Sequence, residues 1–148
     1  MASLELSGIN KSYGDTVAVA DIDLKIADNE FFCIFGPPSC GKTTILRLLL
    51  GLVAPDTGEV RIGGEAVTEK PPKDRNLAMV FQNLALFPHM TTRQNLAFPL
   101  AERKMEKQEI EARVQSVAET LHITPFLNKL PAHLSGGERQ RVAIGRAL

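Results

Sequence analysis

Cysteine is scarce in this chain, and apolar residues never run on for long. The 148 residues include two cysteines, Cys33 and Cys40. Neither their number nor their spacing is typical of a disulfide framework or a metal site, which favours a reducing cytoplasm. No apolar run approaches the ~18 residues of a membrane-spanning helix, and no signal peptide is expected at the start. A role at a membrane would therefore depend on a partner.

The chain also lacks an excess of either charge. Seventeen Lys and Arg balance seventeen Asp and Glu, so no bulk field favours nucleic acid or an anionic membrane. An apolar fraction of 44% and a charged fraction of 23% are usual for a globular protein. The length suffices for one domain with a buried core.

What the chain does contain is a phosphate-binding motif. Residues 36–43 read G-x-x-x-x-G-K-T, the pattern of the P-loop. The apolar residues 31–35 before it predict a strand buried on both faces. Residues 45–50 after it predict a helix that ends at Gly51. Strand, glycine loop and helix are the context in which this motif holds a nucleotide triphosphate.

The residue types suit that chemistry. Backbone N–H groups are dense phosphate donors, and glycine allows close approach. Lys42 would reach the β- and γ-phosphates, and the Thr43 hydroxyl would bind Mg²⁺. A plain glycine turn between strand and helix is the alternative. The candidate nucleotide-binding residues here are Gly36, Pro37, Pro38, Ser39, Cys40, Gly41, Lys42, Thr43 and Thr44.

The rest of the sequence predicts two subdomains. Alternating apolar residues predict strands at 4–6 and 22–26, and a Gly-Gly turn predicts a hairpin over 60–67. Residues 77–81 predict a second doubly buried strand that ends at Gln82. Beyond it, Thr92 is expected to cap a short helix ending near Pro99, and residues 102–122 a charged helix. The expected division is a β subdomain with the P-loop core at 1–82 and a helical subdomain at 83–148.

The last segment, residues 134–138, reads Leu-Ser-Gly-Gly-Glu. Ser135 and Glu138 form a capping box, which predicts the start of a helix. Gly136 and Gly137 in its first turn each cost roughly 1 kcal/mol relative to alanine. They suit a phosphate lying against the bare N-terminal backbone. A purely structural cap is the alternative.

Together the P-loop and this segment resemble the ATP-binding subunit of an ABC transporter, whose signature motif usually reads L-S-G-G-Q. The spacing from the P-loop to Gln82 and on to the signature also matches, and the resemblance covers essentially the whole chain. Residues 78–83 and 86–91 are similar to the carbohydrate-importer branch. The resemblance implies an α/β P-loop ATPase core with an antiparallel β subdomain and a helical subdomain.

The resemblance also implies roles for individual residues. Tyr13 would stack on adenine, although an exposed turn tyrosine is the alternative. Gln82 would contact Mg²⁺ and the attacking water, making Lys42 and Gln82 the catalytic candidates and Thr43 and Gln82 the metal ligands. The signature residues would grip the γ-phosphate of ATP held by a second subunit. These are Ser135, Gly136, Gly137 and Glu138.

Partners and location follow from the same resemblance. It implies polytopic membrane permease subunits, a second ATPase subunit in a head-to-tail homodimer or heterodimer, and indirectly a solute-binding protein, with no nucleic acid. The expected place is the cytoplasmic face of the inner membrane, as a peripheral subunit. A non-transport ATP-binding protein of the same family and a nonfunctional truncated product are the alternatives.

The sequence departs from the family pattern in three ways. Ser39 stands where glycine is frequent, and Glu138 replaces glutamine. The sequence ends at Leu148, before the family's Mg²⁺-binding aspartate, water-orienting glutamate and switch histidine. We therefore expect a form truncated after the signature, with the C-terminal part of the core sheet missing and with little ATP hydrolysis.

Overall fold

The computed structural model describes residues 2–148, which divide into two compact units. Residues up to Leu77 form the first unit, and Ala78–Leu148 form the second. No helix within residues 2–148 is long and apolar enough to cross a bilayer. The strands are β1 (Leu4–Tyr13), β2 (Thr16–Ile26), β3 (Thr57–Ile62) and β4 (Glu65–Ala66), and the helices are α1 (Lys42–Leu50), α2 (Thr92–Glu102), α3 (Lys107–Thr120) and α4 (Gly136–Gly145).

An antiparallel sheet with the order β2-β1-β3-β4 forms one layer of the first unit. A tight turn joins β1 to β2, so that Tyr13 pairs with Thr16 at that end of the hairpin. Strands β3 and β4 form the second hairpin across Gly63 and Gly64, which confirms the Gly-Gly turn expected from the sequence. The antiparallel β subdomain of the expected α/β fold is therefore present.

Helix α1 covers one face of this sheet. Ile45, Leu48 and Leu49 are buried on it, at the period of an amphipathic helix. They pack in one cluster whose remaining buried members are Leu6, Ile9, Val19, Val60 and Val67. The helix ends at Gly51, which adopts φ +73° and donates its N–H to the Leu48 carbonyl. Both the helix and its glycine end are as the sequence predicts.

Two expected strands do not form. Residues 31–35 have no regular secondary structure, and Phe31 and Phe35 are 97% and 98% exposed. Residues 77–81 are likewise irregular, with Val80 and Phe81 exposed. The prediction of doubly buried strands is wrong for this structure because a strand needs a neighbouring backbone to accept its hydrogen bonds. Within residues 2–148, every strand pairing lies in the sheet of β1 to β4.

The second unit is helical, as expected. Helices α2, α3 and α4 enclose its core, whose buried members are Leu96, Val114, Ala118, Ile123, Leu127, Leu134 and Val142. Thr91, rather than Thr92, caps α2 in a reciprocal capping box with Gln94. The helix runs through Pro99 to Glu102, beyond the expected end. Proline removes one helical hydrogen bond, but burial of the neighbouring apolar face keeps the helix continuous.

Candidate functional site

The loop at residues 36–41 leads directly into α1 and lies against strand β2. Gly41 immediately precedes α1 and has φ +92°, in the left-handed region that favours glycine. A Cβ atom at this position would come within 2.5 Å of the Ala18 carbonyl oxygen and 2.8 Å of the Val19 Cγ1 atom. The loop can approach β2 this closely only because residue 41 is glycine.

Lys42 folds back across the loop that precedes it. Its ammonium Nζ donates to the carbonyl oxygens of Gly36 at 2.8 Å and Pro37 at 2.6 Å, and lies 3.4 Å from the Cys40 sulfur. The positive charge is therefore held inside the curve of the loop. Within residues 2–148, these contacts are to two carbonyls and a sulfur atom and none is to a carboxylate, so an anion placed there would be attracted to the ammonium charge.

The start of α1 has the properties of an anion site. No side chain caps this helix, and its first turn contains no acidic residue. The first N–H groups of a helix lack intrahelical acceptors, and the helix dipole adds positive potential there. Together with Lys42, this end of α1 fits a chain of phosphates.

The start of α1 offers one side-chain ligand for a metal ion that is also bound by the phosphates of a nucleotide. Within residues 2–148, no group of three or more His, Cys, Asp or Glu side chains could hold a metal ion by itself. Thr43 is exposed in the first turn of α1, and its hydroxyl oxygen is a hard ligand of the kind Mg²⁺ takes. Mg²⁺ usually obtains its other ligands from phosphate and water.

Ser39 lies in the same loop with φ +64°. Left-handed backbone costs roughly 1–2 kcal/mol for a residue other than glycine. This geometry gives a physical reason for the glycine that is frequent in the resembled family at this position. Ser39 is exposed, so the departure costs backbone strain and displaces no packed neighbour.

Tyr13 is the last residue of β1 rather than part of a turn. The turn itself is confined to Gly14 and Asp15, because β1 pairs with β2 as far as Tyr13. The Tyr13 side chain is 47% exposed, and the Lys11 ammonium lies 5.8 Å from its ring centroid. Tyr13 and the P-loop belong to the same unit, so an exposed aromatic ring and an anion site are carried by one framework.

Gln82 belongs to the second unit and is exposed in a turn. The turn is closed by a hydrogen bond from the Leu84 N–H to the Phe81 carbonyl. Leu84 and Ala85 follow with φ of +60° and +45°. The Arg146 guanidinium, just after α4, donates to the Ala85 carbonyl and lies 4.8 Å from the Phe87 ring centroid. Arg146 thus braces the segment after Gln82, a role that the sequence pattern did not indicate.

The signature residues stand at the start of α4. The Ser135 Oγ atom accepts from the Glu138 N–H at 3.3 Å, and the Glu138 carboxylate accepts from the Ser135 N–H at 2.6 Å. The predicted capping box is confirmed, and its hydrogen bonds hold the pKa of Glu138 below the ordinary value. A Cβ atom on Gly136 or Gly137 would meet nothing within 4 Å. Packing among residues 2–148 therefore does not require the two glycines, whose bare backbone is open to a ligand.

Arg75 is a buried residue that sequence reasoning missed. Its side chain is 3% exposed and closes the C-terminal end of α1. Nη1 donates to the carbonyls of Leu48 at 2.8 Å and Leu49 at 3.0 Å, where the helix dipole is negative. Nε and Nη2 donate to the Lys70 and Thr68 carbonyls at 2.9 and 2.8 Å. Burial lowers the pKa of Arg75, but a guanidinium keeps its proton at neutral pH.

Asn95 plays a comparable part in the second unit. It is fully buried on α2, and its Oδ1 atom accepts from the Phe87 N–H at 2.9 Å. Its Nδ2 atom lies 3.1 Å from the Phe87 carbonyl oxygen, 3.0 Å from that of Met90 and 3.1 Å from that of Thr91. One amide thus holds the segment between Gln82 and α2 against the helix.

The glycine loop is bound by the Lys42 ammonium and leads into the start of a helix that packs on a sheet. This arrangement defines a phosphate-binding P-loop domain. Residues 19–148 match the ABC transporter family, and the chain belongs to that family. The resemblance drawn from the P-loop and the signature is thereby confirmed.

Three relatives align with the whole of this chain. It is 54% identical to the trehalose import ATP-binding protein SugC of Mycobacterium tuberculosis, of which it covers 38%. It is 49% identical to the trehalose/maltose import ATP-binding protein MalK of Thermococcus litoralis, covering 41%. It is also 49% identical to the sn-glycerol-3-phosphate import ATP-binding protein UgpC of Rhizobium meliloti, covering 43%. The chain therefore spans well under half the length of the relatives it matches, which carry the importer names expected from the sequence.

Proposed function

We propose that this chain binds ATP with Mg²⁺ and belongs to an ATP-binding subunit that powers solute import. The observation that carries the proposal is the Lys42 ammonium held inside the P-loop at the uncapped N-terminus of α1. The names of the relatives support the transport role. The cargo would be a carbohydrate or a related polyol phosphate.

Each predicted site residue has a place in this proposal. Lys42 exchanges its carbonyl partners for the β- and γ-phosphates, Thr43 holds Mg²⁺, and Tyr13 stacks on adenine. For Gln82, the family resemblance implies a role toward the metal and the attacking water. Phosphoryl transfer depends on positioning and charge stabilisation, to which a cation and fixed N–H groups contribute.

The signature at α4 serves a second subunit in this proposal. Ser135, Gly136 and Gly137 bind the γ-phosphate of ATP held by the other member of a head-to-tail pair. The open surface over both glycines supports this, because a phosphate can approach their backbone directly. Closure of the pair around ATP would then drive the membrane permease, to which a solute-binding protein delivers the cargo.

Membrane association through the permease is a testable part of the proposal. We expect the chain to sediment with membranes at the cytoplasmic face only when its permease subunits are co-expressed, since the proposal gives it no bilayer contact of its own. Sedimentation of a tagged chain with and without those subunits measures this. Equal recovery in both cases would contradict the proposed partner.

Nucleotide binding is tested by Lys42→Ala. Losing a charge-assisted contact costs roughly 1.5–3 kcal/mol, so we expect the affinity for ATP to fall about tenfold or more. Isothermal titration of the purified chain with ATP in the presence of Mg²⁺ provides the measurement.

Lys25→Ala is the matched control, because Lys25 is an exposed lysine of the same unit and its loss changes the net charge equally. We expect its affinity for ATP to equal that of the parent chain. If Lys42→Ala and Lys25→Ala bound ATP alike, the P-loop assignment would be wrong.

A further inference from the structure

The end of strand β1, which presents Tyr13, is held by a residue outside every motif described above. Asp56 precedes β3, and both of its carboxylate oxygens contact β1. Oδ1 lies 2.7 Å from the Lys11 ammonium, and Oδ2 accepts from the Ser12 N–H at 2.7 Å. The Asp56 N–H donates to the Asn10 carbonyl at 2.8 Å. All three residues before Tyr13 are thus bound by one aspartate.

The Lys11 ammonium and the Ser12 N–H each donate to one oxygen of the Asp56 carboxylate, which favours its ionised form. The hydrogen bonds from Lys11 and Ser12 hold the pKa of Asp56 below its ordinary value. Lys11 also lies beside the Tyr13 ring, with Nζ 5.8 Å from the ring centroid. The carboxylate therefore holds the ammonium that lies beside that ring.

Asp56 is joined to the P-loop helix by a short, well-anchored segment. Gly51 ends α1, and the Leu52 N–H donates back to the Arg47 carbonyl at 2.9 Å. Val53 packs against the core of the first unit. Asp56 follows three residues later, so the position of its carboxylate is fixed relative to the C-terminal end of α1.

A second connection joins the same two parts from the other side. The P-loop lies against Ala18 and Val19 of β2, and Val19 pairs with Lys11 of β1. Tyr13 is therefore tied to both ends of α1, through β2 at the P-loop and through Asp56 at the C-terminal end. This arrangement fixes the distance between an exposed aromatic ring and an anion site.

We propose that Asp56, acting with Lys11, is a positioning residue that sets Tyr13 at the distance from the P-loop required by a nucleotide's base. This inference rests on the proposed function, since it assumes that the P-loop holds the phosphates of the same molecule. It follows that Asp56 supports affinity for the base and leaves affinity for a bare phosphate chain unchanged.

The sequence supplies a specific probe. Tyr13 is the one tyrosine of the chain, which has no tryptophan, so tyrosine emission reports on this residue. ATP should quench the emission by stacking, whereas inorganic tripolyphosphate, which has no base, should bind without stacking. The affinities for both ligands are measured by titration calorimetry, and the quenching by fluorescence.

Asp56→Ala is the test variant, and Asp74→Ala is its control. Asp74 is an exposed aspartate of the same unit, so both variants lose the same charge. A base stacked on an aromatic ring contributes a factor of about ten or more in affinity. We expect Asp56→Ala to lose roughly that factor for ATP, to lose most of the quenching and to keep the parent affinity for tripolyphosphate. Asp74→Ala should match the parent chain in all three readouts.

Lys11→Met guards against a variant that fails to fold. It keeps an aliphatic side chain but loses the ammonium, and we expect it to lower ATP affinity relative to tripolyphosphate in the same direction. Circular dichroism identifies which of the two variants, Asp56→Ala and Lys11→Met, are folded. The ratio of the ATP and tripolyphosphate affinities is then compared between a folded variant and the parent chain. An unchanged ratio of the two affinities, or an equal loss of both ligands, overturns the inference.

Failure of the proposed function gives a different result. In that case the parent chain binds neither ATP nor tripolyphosphate, or Lys42→Ala binds both as the parent does. Either result removes the phosphate anchor that the inference requires and so overturns the inference together with the function. If the function is correct and the inference is wrong, the affinities for ATP and tripolyphosphate both fall in Lys42→Ala. The ratio of the two affinities is then the same in Asp56→Ala as in the parent chain.

Discussion

Replacing Arg75 by methionine is expected to lower the stability of the first unit by about 3–5 kcal/mol. The buried guanidinium satisfies four carbonyl oxygens, two of them at the negative end of α1. Methionine has a comparable length but donates no hydrogen bond. The Leu49 carbonyl would then be buried without the Arg75 donor, and the Leu48 carbonyl would keep only the Gly51 N–H. The expected loss corresponds to a fall of more than about 12 °C in the melting temperature.

Thermal unfolding followed by circular dichroism measures this effect. Arg47→Met is the matched control, because Arg47 is an exposed arginine in the last turn of the same helix. Its loss should cost less than about 1 kcal/mol. Two variants that melt together would show that the buried hydrogen bonds of Arg75 contribute little. A large loss in Arg75→Met alone would establish this residue as the C-terminal support of the P-loop helix.

Replacing Asn95 by leucine is expected to cost about 3 kcal/mol or more in the second unit. The amide pairs with both backbone groups of Phe87 and with the carbonyls of Met90 and Thr91. Leucine matches its size but removes the side-chain partner of the Phe87 N–H and of the Met90 carbonyl, at roughly 1–3 kcal/mol for each such group. The Phe87 and Thr91 carbonyls keep the backbone N–H groups of Met90 and Asn95. Chemical denaturation of the purified variant measures the change in the free energy of unfolding.

The isosteric change Asn95→Asp sharpens this test. It removes the N–H donors and places a carboxyl group against carbonyl oxygens, which raises the pKa of that group in the folded state. The loss of stability relative to the parent should therefore be smallest below the unfolded-state pKa of about 3.9, and it should grow as the pH rises above that value. Asn128→Asp, at an exposed position of the same unit, should change stability by less than about 0.5 kcal/mol at neutral pH. Equal stability of the two aspartate variants at neutral pH would contradict the role assigned to Asn95.

Elements whose hydrogen bonds close locally were predictable from the sequence. Helix α1 and its glycine end, the Gly63-Gly64 hairpin and the capping box at Ser135 each depend on residues within a few positions of one another. The P-loop and the signature were also predictable, because each is a pattern of particular residue types at a fixed short spacing. These segments were sufficient to indicate the ABC transporter family.

Elements that depend on distant partners were not predictable in this way. Residues 31–35 and 77–81 have the composition of buried strands, yet a strand forms only where another backbone lies beside it, and composition does not report that neighbour. The end of α2 was misplaced at Pro99 for a related reason. Packing against α3 and α4 outweighs the hydrogen bond that proline removes.

The sequence by itself determined the chemistry of this protein, namely a lysine and a threonine at the start of one helix and two glycines at the start of another. Only the tertiary structure decided what holds those groups in place. Arg75 reaches carbonyls 26 and 27 residues away, and Asp56 binds β1 from 44 and 45 residues away. A long-range hydrogen bond leaves no periodic trace in the sequence, because its geometry exists only after the chain has folded.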